Sequence, residues 1–160
     1  ITSTADSVKR IGVGYNYIFT EKDRLPKDDS RYDVFTRALA ACELEAERVV
    51  SSFKNQKTRY KLITLLPSLV VGPVLANVKY LPYSLRIIQS IANRTHTEQM
   101  LPDVYYNIVD VRDVARAHIL AIEVPQVTEG RYLVTNQSVH SSDIAKAINA
   151  KYPGQACFTM

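Results

Sequence analysis

The side chains in this sequence that could do chemistry fall into small, separate groups. A run of hydroxyl residues, Thr2, Ser3 and Thr4, stands where an N-terminal strand ends. Hydroxyls at such a position commonly bond to the local backbone. An acidic corner with one cation, Asp110 to Asp113, follows a second apolar run. Capping and ion pairing explain that corner better than catalysis does.

Histidines and cysteines are too scattered to predict a metal site. His96, His118 and His140 have neither metal-ligand spacing nor an obvious acid–base partner. His118 fits a satisfied core or boundary position inside a helix. Cys42 and Cys157 lie far apart and match no disulfide framework. We therefore expect a reducing compartment, the cytoplasm or an organelle interior.

The apolar pattern around these residues predicts an α/β fold. Residues 105–109 form a continuous apolar run, typical of a strand buried on both faces. Asp113 then stands at an N-cap position. The residues that follow it at helical spacing are Val114, Ala117, His118 and Ala121. Gly130 ends the next loop, and residues 131–135 predict another strand.

The same reasoning extends to the rest of the chain. A helix is predicted from about Asp33 to Phe53, with a buried stripe formed by Leu39, Cys42, Ala46, Val49 and Phe53. Further elements are strands at 61–66 and 69–71, a helix at 81–94 and a helix from Ser141 or Ser142 to Lys151. Alternating strands and helices favour a mainly parallel sheet covered by helices, folded as a single domain over residues 1–160.

Composition excludes several classes of protein. The chain has 160 residues, enough for one domain with a core. Its net charge of +4 is spread along the sequence, so no nucleic-acid partner is expected. No segment approaches the roughly 20 apolar residues of a membrane span. Gly12-Val13-Gly14 lacks the third glycine and the strand–turn–helix setting of a dinucleotide fingerprint, so we interpret it as a flexible loop.

Two stretches carry a family resemblance, VDVRDVARAHILAIE at 109–123 and EGRYLV at 129–134. They resemble the C-terminal half of the extended short-chain dehydrogenase/reductase superfamily, of the NAD-dependent epimerase/dehydratase type. Within that superfamily, these two stretches are most similar to the branch that contains dihydroflavonol reductases and cinnamoyl-CoA reductases. The resemblance implies the C-terminal part of a Rossmann-like, doubly wound sheet with flanking helices and a small substrate-side lobe. The N-terminal βα units of that fold are expected to be absent here.

The resemblance also implies a catalytic pattern, from which this chain departs. In the family a Ser or Thr polarises the substrate carbonyl, a Tyr donates a proton, and a Lys four residues later lowers the pKa of that Tyr. Thr4 falls at the hydroxyl position, with Ser3 beside it. Aligning Cys42 and the residues after it with the family's S-K-x-x-A-E places Leu39 at the Tyr and Glu43 at the Lys.

Leucine has no proton to give, and a glutamate would raise a neighbouring phenol pKa. The nearest upstream phenol, Tyr32, would need a shift of about two helical turns. The usual hydride-transfer dyad is therefore predicted to be lost.

A third stretch, residues 65–73, resembles the family's P-x-x-V-x-G-P segment. The resemblance places four residues on the nicotinamide side of a cofactor, namely Pro67, Ser68, Leu69 and Val70. In the family, the first βα units hold the pyrophosphate and adenosine. NADP(H) or NAD(H) is therefore expected only together with an N-terminal half, and no cofactor is expected for this chain alone.

Three functions follow as hypotheses. The favoured one is a degenerate, non-catalytic reductase-like domain that serves as a structural or interaction subunit. The alternatives are the C-terminal half of an active NADPH-dependent aldehyde or ketone reductase and, more weakly, a sugar-nucleotide epimerase or dehydratase relative. An open edge on the N-terminal strand also predicts a partner, either another protein chain or an N-terminal segment, that covers this edge.

Overall fold

The computed structural model describes residues 1–10, 12–14, 16–26, 30–53, 61–74, 77–93 and 101–153. Three side chains in the first helix, Phe35, Leu39 and Ala40, are not among those described. His96 and Cys157 lie outside the described residues. Within the described part, no helix is long and apolar enough to cross a bilayer.

Helices and strands alternate along most of the chain. A short 3₁₀ helix, Ala5–Val8, precedes them. The helices are α1 (Val34–Ser52), α2 (Tyr83–Ala92), α3 (Val111–Glu123) and α4 (Ser141–Lys151). The strands are β1 (Ile63–Pro67), β2 (Leu69–Val71), β3 (Tyr105–Asp110), β4 (Gly130–Val134) and β5 (Gln137–His140).

The first of two compact units contains Ile1–Ser68 and Ala115–Val134. Its strands β1 and β4 run parallel. The N-terminal residues continue this parallel arrangement on the other side of β1, where the Leu65 N–H donates to the Ile1 carbonyl and the Ser3 N–H donates to the Leu65 carbonyl, both at 2.8 Å. Leu66 in β1 is fully buried, as expected for a central parallel strand.

The second unit contains Leu69–Val114 and Thr135–Met160. Strand β3 lies between β2, which is parallel to it, and β5, which is antiparallel. Helices α2 and α4 pack through Ile91 and Ala145, which are 1% and 0% exposed. The expected α/β fold with a mainly parallel sheet is therefore confirmed, whereas the expectation of one domain stays a prediction.

Several local expectations were wrong. Strand β3 is not buried on both faces, because Tyr105 is 73% exposed while Val109 is 2% exposed. Asp113 is not the N-cap of α3 but lies in its first turn, since the helix begins at Val111. The N-cap of α4 is His140, so neither candidate serine has that role. Strand β5 was not predicted, because its sequence QSVH has no apolar alternation.

Helix α1 has the predicted length but a different orientation. Asp33 caps it by accepting from the Thr36 N–H at 2.9 Å. Cys42 and the other predicted stripe residues with described side chains, Ala46, Val49 and Phe53, are exposed. The half-buried face of the central part of the helix is formed instead by Ala41, Glu43, Leu44, Glu47 and Val50. The face with two carboxylates is turned inward because it has polar partners there.

Candidate functional site

The first partner of the inward carboxylates is a hydroxyl at the end of the N-terminal strand segment. The Ser3 hydroxyl donates to the Glu43 carboxylate, and it also lies 3.2 Å from Glu47 Oε1. Glu43 and Glu47 are four residues apart, so they lie on one face of α1. One hydroxyl hydrogen cannot bond fully to two acceptors, and Glu43 holds the shorter contact.

The second partner is the buried guanidinium of Arg131 in β4. Its Nε lies 3.2 Å from Glu47 Oε2, an ion pair whose angle falls outside hydrogen-bond geometry. Its Nη2 donates to Ser7 Oγ at 2.6 Å. Its Nη1 donates to the carbonyl oxygens of Glu21 and Asp23 at 2.9 and 3.0 Å. Arg131 therefore ties β4 to α1, to the 3₁₀ helix and to the loop before α1.

The charges in this cluster act against each other. Burial raises the pKa of Glu47 above its usual value, and the Glu43 charge acts in the same direction. The hydrogen bond from Ser3 and the charge of Arg24 oppose the rise in the Glu47 pKa. The cluster can accept protons and can bind a hydrogen-bond donor, but its helix face presents carboxylates where an ammonium group would be needed to lower a phenol pKa.

Of the residues considered for catalysis from the sequence, Ser3 belongs to this cluster, whereas the Thr4 and Tyr32 hydroxyls have other partners. The Thr4 hydroxyl accepts from the Asp6 N–H at 3.3 Å and caps the 3₁₀ helix. Ser3, its neighbour, is thus the hydroxyl that contacts Glu43. Tyr32 is 8% exposed, precedes α1 and donates to the Lys9 carbonyl at 3.3 Å. The assignment of Thr4 to the family's hydroxyl position stays a prediction.

The predicted cofactor-side residues follow one another where β1 ends and β2 begins. Pro67 is buried at the end of β1, and the Ser68 N–H donates to the Val134 carbonyl at 3.1 Å. Ser68 Oγ is buried and has no hydrogen-bond partner among the described residues. Leu69 and Val70 are half-buried in β2. Their role beside a nicotinamide stays a prediction.

The described side chains around Ser3 differ from those that the family uses for hydride transfer. Such a reaction needs a group that gives a proton to the substrate and a cation that favours its ionised form. Ser3 donates its hydrogen to Glu43, and within the described part of the chain no Lys, Arg or Tyr side chain bonds to the Glu43 carboxylate. No step of a reduction can be derived from this arrangement.

Sequence reasoning missed the role of Arg131, although a signal was present. An arginine inside the apolar strand GRYLV buries its charge, and that burial is very costly unless an acidic side chain pairs with the arginine. That requirement pointed to an inward-facing acid elsewhere in the fold. Sequence reasoning also found no acid–base partner for His140. In the structure this histidine contacts Asp103 at 2.8 Å, so that expectation was wrong.

Comparison with known proteins shows that the chain is similar to reductases. No protein-family model matches it. The ketoreductase azaE of Aspergillus niger is 34% identical over 118 residues, 71% of this chain and 35% of that protein. The cinnamoyl-CoA reductase CAD2 of Medicago truncatula is 30% identical over 135 residues, 84% of this chain and 37% of that protein.

Solved structures agree with this similarity. Gre2 from Candida albicans in complex with NADPH has a TM-score of 0.81 at 28% identity, over 97% of this chain and 49% of that chain. Vestitone reductase from alfalfa has a TM-score of 0.79 at 25% identity, over 99% of this chain and 49% of that chain. The chain thus spans about half the length of these solved structures and less of the two curated relatives.

These matches define the class of protein. The chain belongs to the extended short-chain dehydrogenase/reductase superfamily, of the NAD-dependent epimerase/dehydratase type, and corresponds to the C-terminal half of that fold.

Proposed function

We propose that this chain is a reductase-like domain that does not itself perform hydride transfer and that serves as a structural or interaction subunit of a larger protein or assembly. The observation that carries the proposal is the contact between Ser3 and Glu43. The family resemblance predicts Glu43 at the lysine position, and here Glu43 accepts the hydrogen of the Ser3 hydroxyl.

A carboxylate at this position opposes the family reaction in two ways. It raises the pKa of any phenol that approaches the site, whereas the family's lysine lowers it. It also repels the phosphates of an approaching dinucleotide, although salt screens that repulsion beyond about 10 Å. Glu47, four residues further along the helix, adds a second carboxyl group. We therefore assign to this helix face a role in holding the fold together through Arg131.

The proposed partner contributes a β-strand to the open edge of residues 1–3. Ile1 and Ser3 bond to β1, so the N–H and C=O groups of Thr2 point away from it. Among the described residues no strand pairs with that side. A cleft of about 430 Å³, lined in part by Ile1, Ile63 and Ile122, lies between β1 and α3 and reaches the first residue of this segment. Such an edge promotes aggregation unless it is covered, and the covering strand comes from another chain or from an N-terminal segment.

The first test measures cofactor binding and turnover in the longest natural form of the protein. NADPH and NADH are titrated by calorimetry, and aldehydes and ketones are then assayed with each cofactor. Absence of turnover supports the proposal whether or not the cofactor binds. If a cofactor binds without turnover, the domain acts as a ligand-stabilised scaffold. Turnover with either cofactor would reject the proposal and favour an active reductase, the activity that the names of the relatives suggest.

A restoration experiment tests whether Leu39 and Glu43 are the reason that the domain does not transfer hydride. Leu39→Tyr with Glu43→Lys rebuilds the family dyad in the same long form, and Leu39→Phe with Glu43→Gln is the matched control without a proton donor or a charge. We expect measurable NADPH-dependent reduction from the first pair alone. Equal activity in both pairs would show that these two positions do not limit the reaction.

Hydrogen exchange tests the partner independently of catalysis. The Thr2 amide should exchange slowly in the longest natural form or native assembly, because a partner strand accepts its hydrogen. Exchange at the rate of an unprotected amide would show that the edge is uncovered. The Ser3 amide, already bonded to Leu65, serves as the internal reference.

A further inference from the structure

A second group of chemically able side chains lies at the start of α4, in the unit that does not contain Ser3. His140 Nε2 lies 2.8 Å from an Asp103 carboxylate oxygen. Its other nitrogen, Nδ1, lies 2.7 Å from Ser142 Oγ. The connectivity is therefore carboxylate, imidazole, hydroxyl, which is the order of groups in a nucleophilic triad.

The backbone determines which imidazole nitrogen carries the hydrogen. The Ser142 N–H donates to His140 Nδ1 at 3.3 Å, forming the N-cap of α4. Nδ1 must therefore present its lone pair, and a neutral imidazole then carries its hydrogen on Nε2. That hydrogen points to Asp103, and the Nδ1 lone pair can accept the Ser142 hydroxyl hydrogen. The two ring nitrogens thus have exchanged roles relative to the serine-hydrolase triad, where Nε2 is the base and Nδ1–H faces the carboxylate, but the free lone pair still faces the serine hydroxyl.

The position on the helix adds a site for developing negative charge. Ser142 lies in the first turn of α4, an eleven-residue helix. The first four N–H groups of a helix have no helical acceptor and carry a partial positive charge. Two of them are already bonded, the Ser141 N–H to the Val104 carbonyl and the Ser142 N–H to His140. The backbone N–H groups of Asp143 and Ile144 are the other two donors of this first turn.

The site is open to solvent. The Tyr105 ring, 73% exposed, lies 4.8 Å from the His140 ring between centroids. Asp103 has a side chain that is 98% exposed, and His140 has one that is 22% exposed. Small, unhindered substrates can reach such a site, and water screens the effect of Asp103 on His140.

We propose that Ser142 is a nucleophile for acyl transfer from small activated esters, with His140 as its general base and Asp103 as a positioning residue. Ser142 Oγ attacks the ester carbonyl carbon while His140 Nδ1 takes the hydroxyl proton. The tetrahedral oxyanion collapses, the carbon–oxygen bond to the leaving group breaks, and the leaving oxygen takes the proton from His140. Water, deprotonated by His140 Nδ1, then attacks the acyl carbon. The bond between that carbon and Ser142 Oγ breaks, and His140 returns its proton to the serine oxygen, so that a carboxylic acid is released and Ser142 and neutral His140 are restored.

The test uses the whole chain and p-nitrophenyl acetate as the probe. Release of p-nitrophenol is followed by absorbance, and peptide mass spectrometry locates any acetyl group. We expect acetylation at Ser142 and loss of that label in Ser142→Ala. Ser138→Ala, which removes an exposed serine of the adjacent strand β5, should leave the label unchanged.

His140→Asn separates catalysis from folding, because asparagine is a good N-cap but a poor base. The variant should keep the helix content of the wild type and slow acetylation by about a hundredfold or more. Asp103→Asn should cause a smaller loss that Asp103→Glu restores, a rescue that a purely structural role would not require. The proposal is overturned if Ser142 remains unlabelled or if His140→Asn is labelled as fast as the wild type.

Discussion

Arg131 is the residue whose environment says most about how the first unit is held together. Its guanidinium is 8% exposed, and its partner Glu47 is 13% exposed. Desolvation of such a pair costs several kcal/mol, which only good geometry and additional bonds offset. The bonds to Ser7, Glu21 and Asp23 supply that compensation. Removing one partner would leave the other charge buried without a counter-ion.

We therefore expect Arg131→Ala to lower the free energy of unfolding by about 3 kcal/mol. Arg48→Ala is the matched control, because Arg48 also pairs with a glutamate, Glu45, but is 69% exposed. Its loss should cost less than about 1 kcal/mol. Urea unfolding followed by circular dichroism measures both. Equal losses would show that the Arg131 pair is as solvated as the surface pair.

At the scale of elements, helix α1 shows how tertiary contacts can override an apolar pattern. Its predicted buried stripe includes Val49 and Phe53, which are 45% and 51% exposed. The neighbouring face carries Glu43 and Glu47, which Ser3 and Arg131 bind. If the helix turned these acids outward, the buried Arg131 side chain would lose its counter-ion. A buried unpaired charge costs more than the exposure of two apolar side chains.

Two adjacent valines test this orientation. Val49→Ser should change the free energy of unfolding by less than about 0.5 kcal/mol, as surface substitutions usually do. Val50→Ser, on the half-buried face, should destabilise by about 1 kcal/mol or more. Thermal and urea unfolding of the two variants provide the comparison. A larger loss at Val49 would mean that the exposed stripe is covered in solution, for example by the proposed partner.

The corner between β3 and α3 depends on pH through one carboxylate. Hydrogen bonds from the Arg112 side chain and backbone N–H lower the pKa of Asp110 from 3.8 to about 2. A lowered folded-state pKa contributes stability that is present above pH 3.8 and is lost as the pH falls through about 2. We expect Asp110→Asn to be less stable than the wild type near neutral pH.

This difference should shrink as the pH falls through that window, which unfolding curves at a series of pH values would measure. Arg112→Gln should weaken the same acid dependence, because it removes the guanidinium donors. A gap between wild type and Asp110→Asn that stays constant down to pH 2 would contradict the assignment. The side-chain oxygen of asparagine can still accept a hydrogen bond from the Arg112 backbone N–H. The comparison of wild type with Asp110→Asn therefore isolates the effect of the carboxylate charge.

At the scale of the whole molecule, each compact unit is assembled from two separate stretches of chain. The chain passes between the units at Ser68–Leu69, at Val114–Ala115 and at Val134–Thr135. Neither unit can therefore be cut out as one continuous segment. The two stretches of each unit are joined by a stretch of the other unit. When that joining stretch unfolds, it becomes a longer flexible loop, and the entropy cost of holding the two stretches together rises.

We therefore expect a single unfolding transition. Leu66→Ala in the first unit and Ile91→Ala in the second each remove a side chain that is at most 1% exposed. Each should cost about 2–5 kcal/mol and shift the whole transition. Circular dichroism at 222 nm and tyrosine fluorescence should give the same midpoint in each variant. Two separate transitions, each sensitive to only one substitution, would reject the expectation of a single domain.

The sequence by itself determined the class of fold, and it predicted a departure from the family's catalytic pattern. Periodicity in residues 111–123 placed Val114, Ala117, His118 and Ala121 on the covered face, and the structure agrees. The parallel strands 63–67 and 130–134 were predicted within two residues at each end. The residue types Leu39 and Glu43 are visible without coordinates. These features depend on local spacing or on identity alone, so no long-range contact was needed to find them.

Only the tertiary structure decided which polar groups meet. Ser3 and Glu43 are separated by 40 residues in sequence, and Arg131 and Ser7 by 124. Asp103 and His140 are separated by 37. No periodicity links residues so far apart, because their contact depends on how strands and helices pack. The same packing turned the acidic face of α1 inward and made His140, rather than a serine, the N-cap of α4.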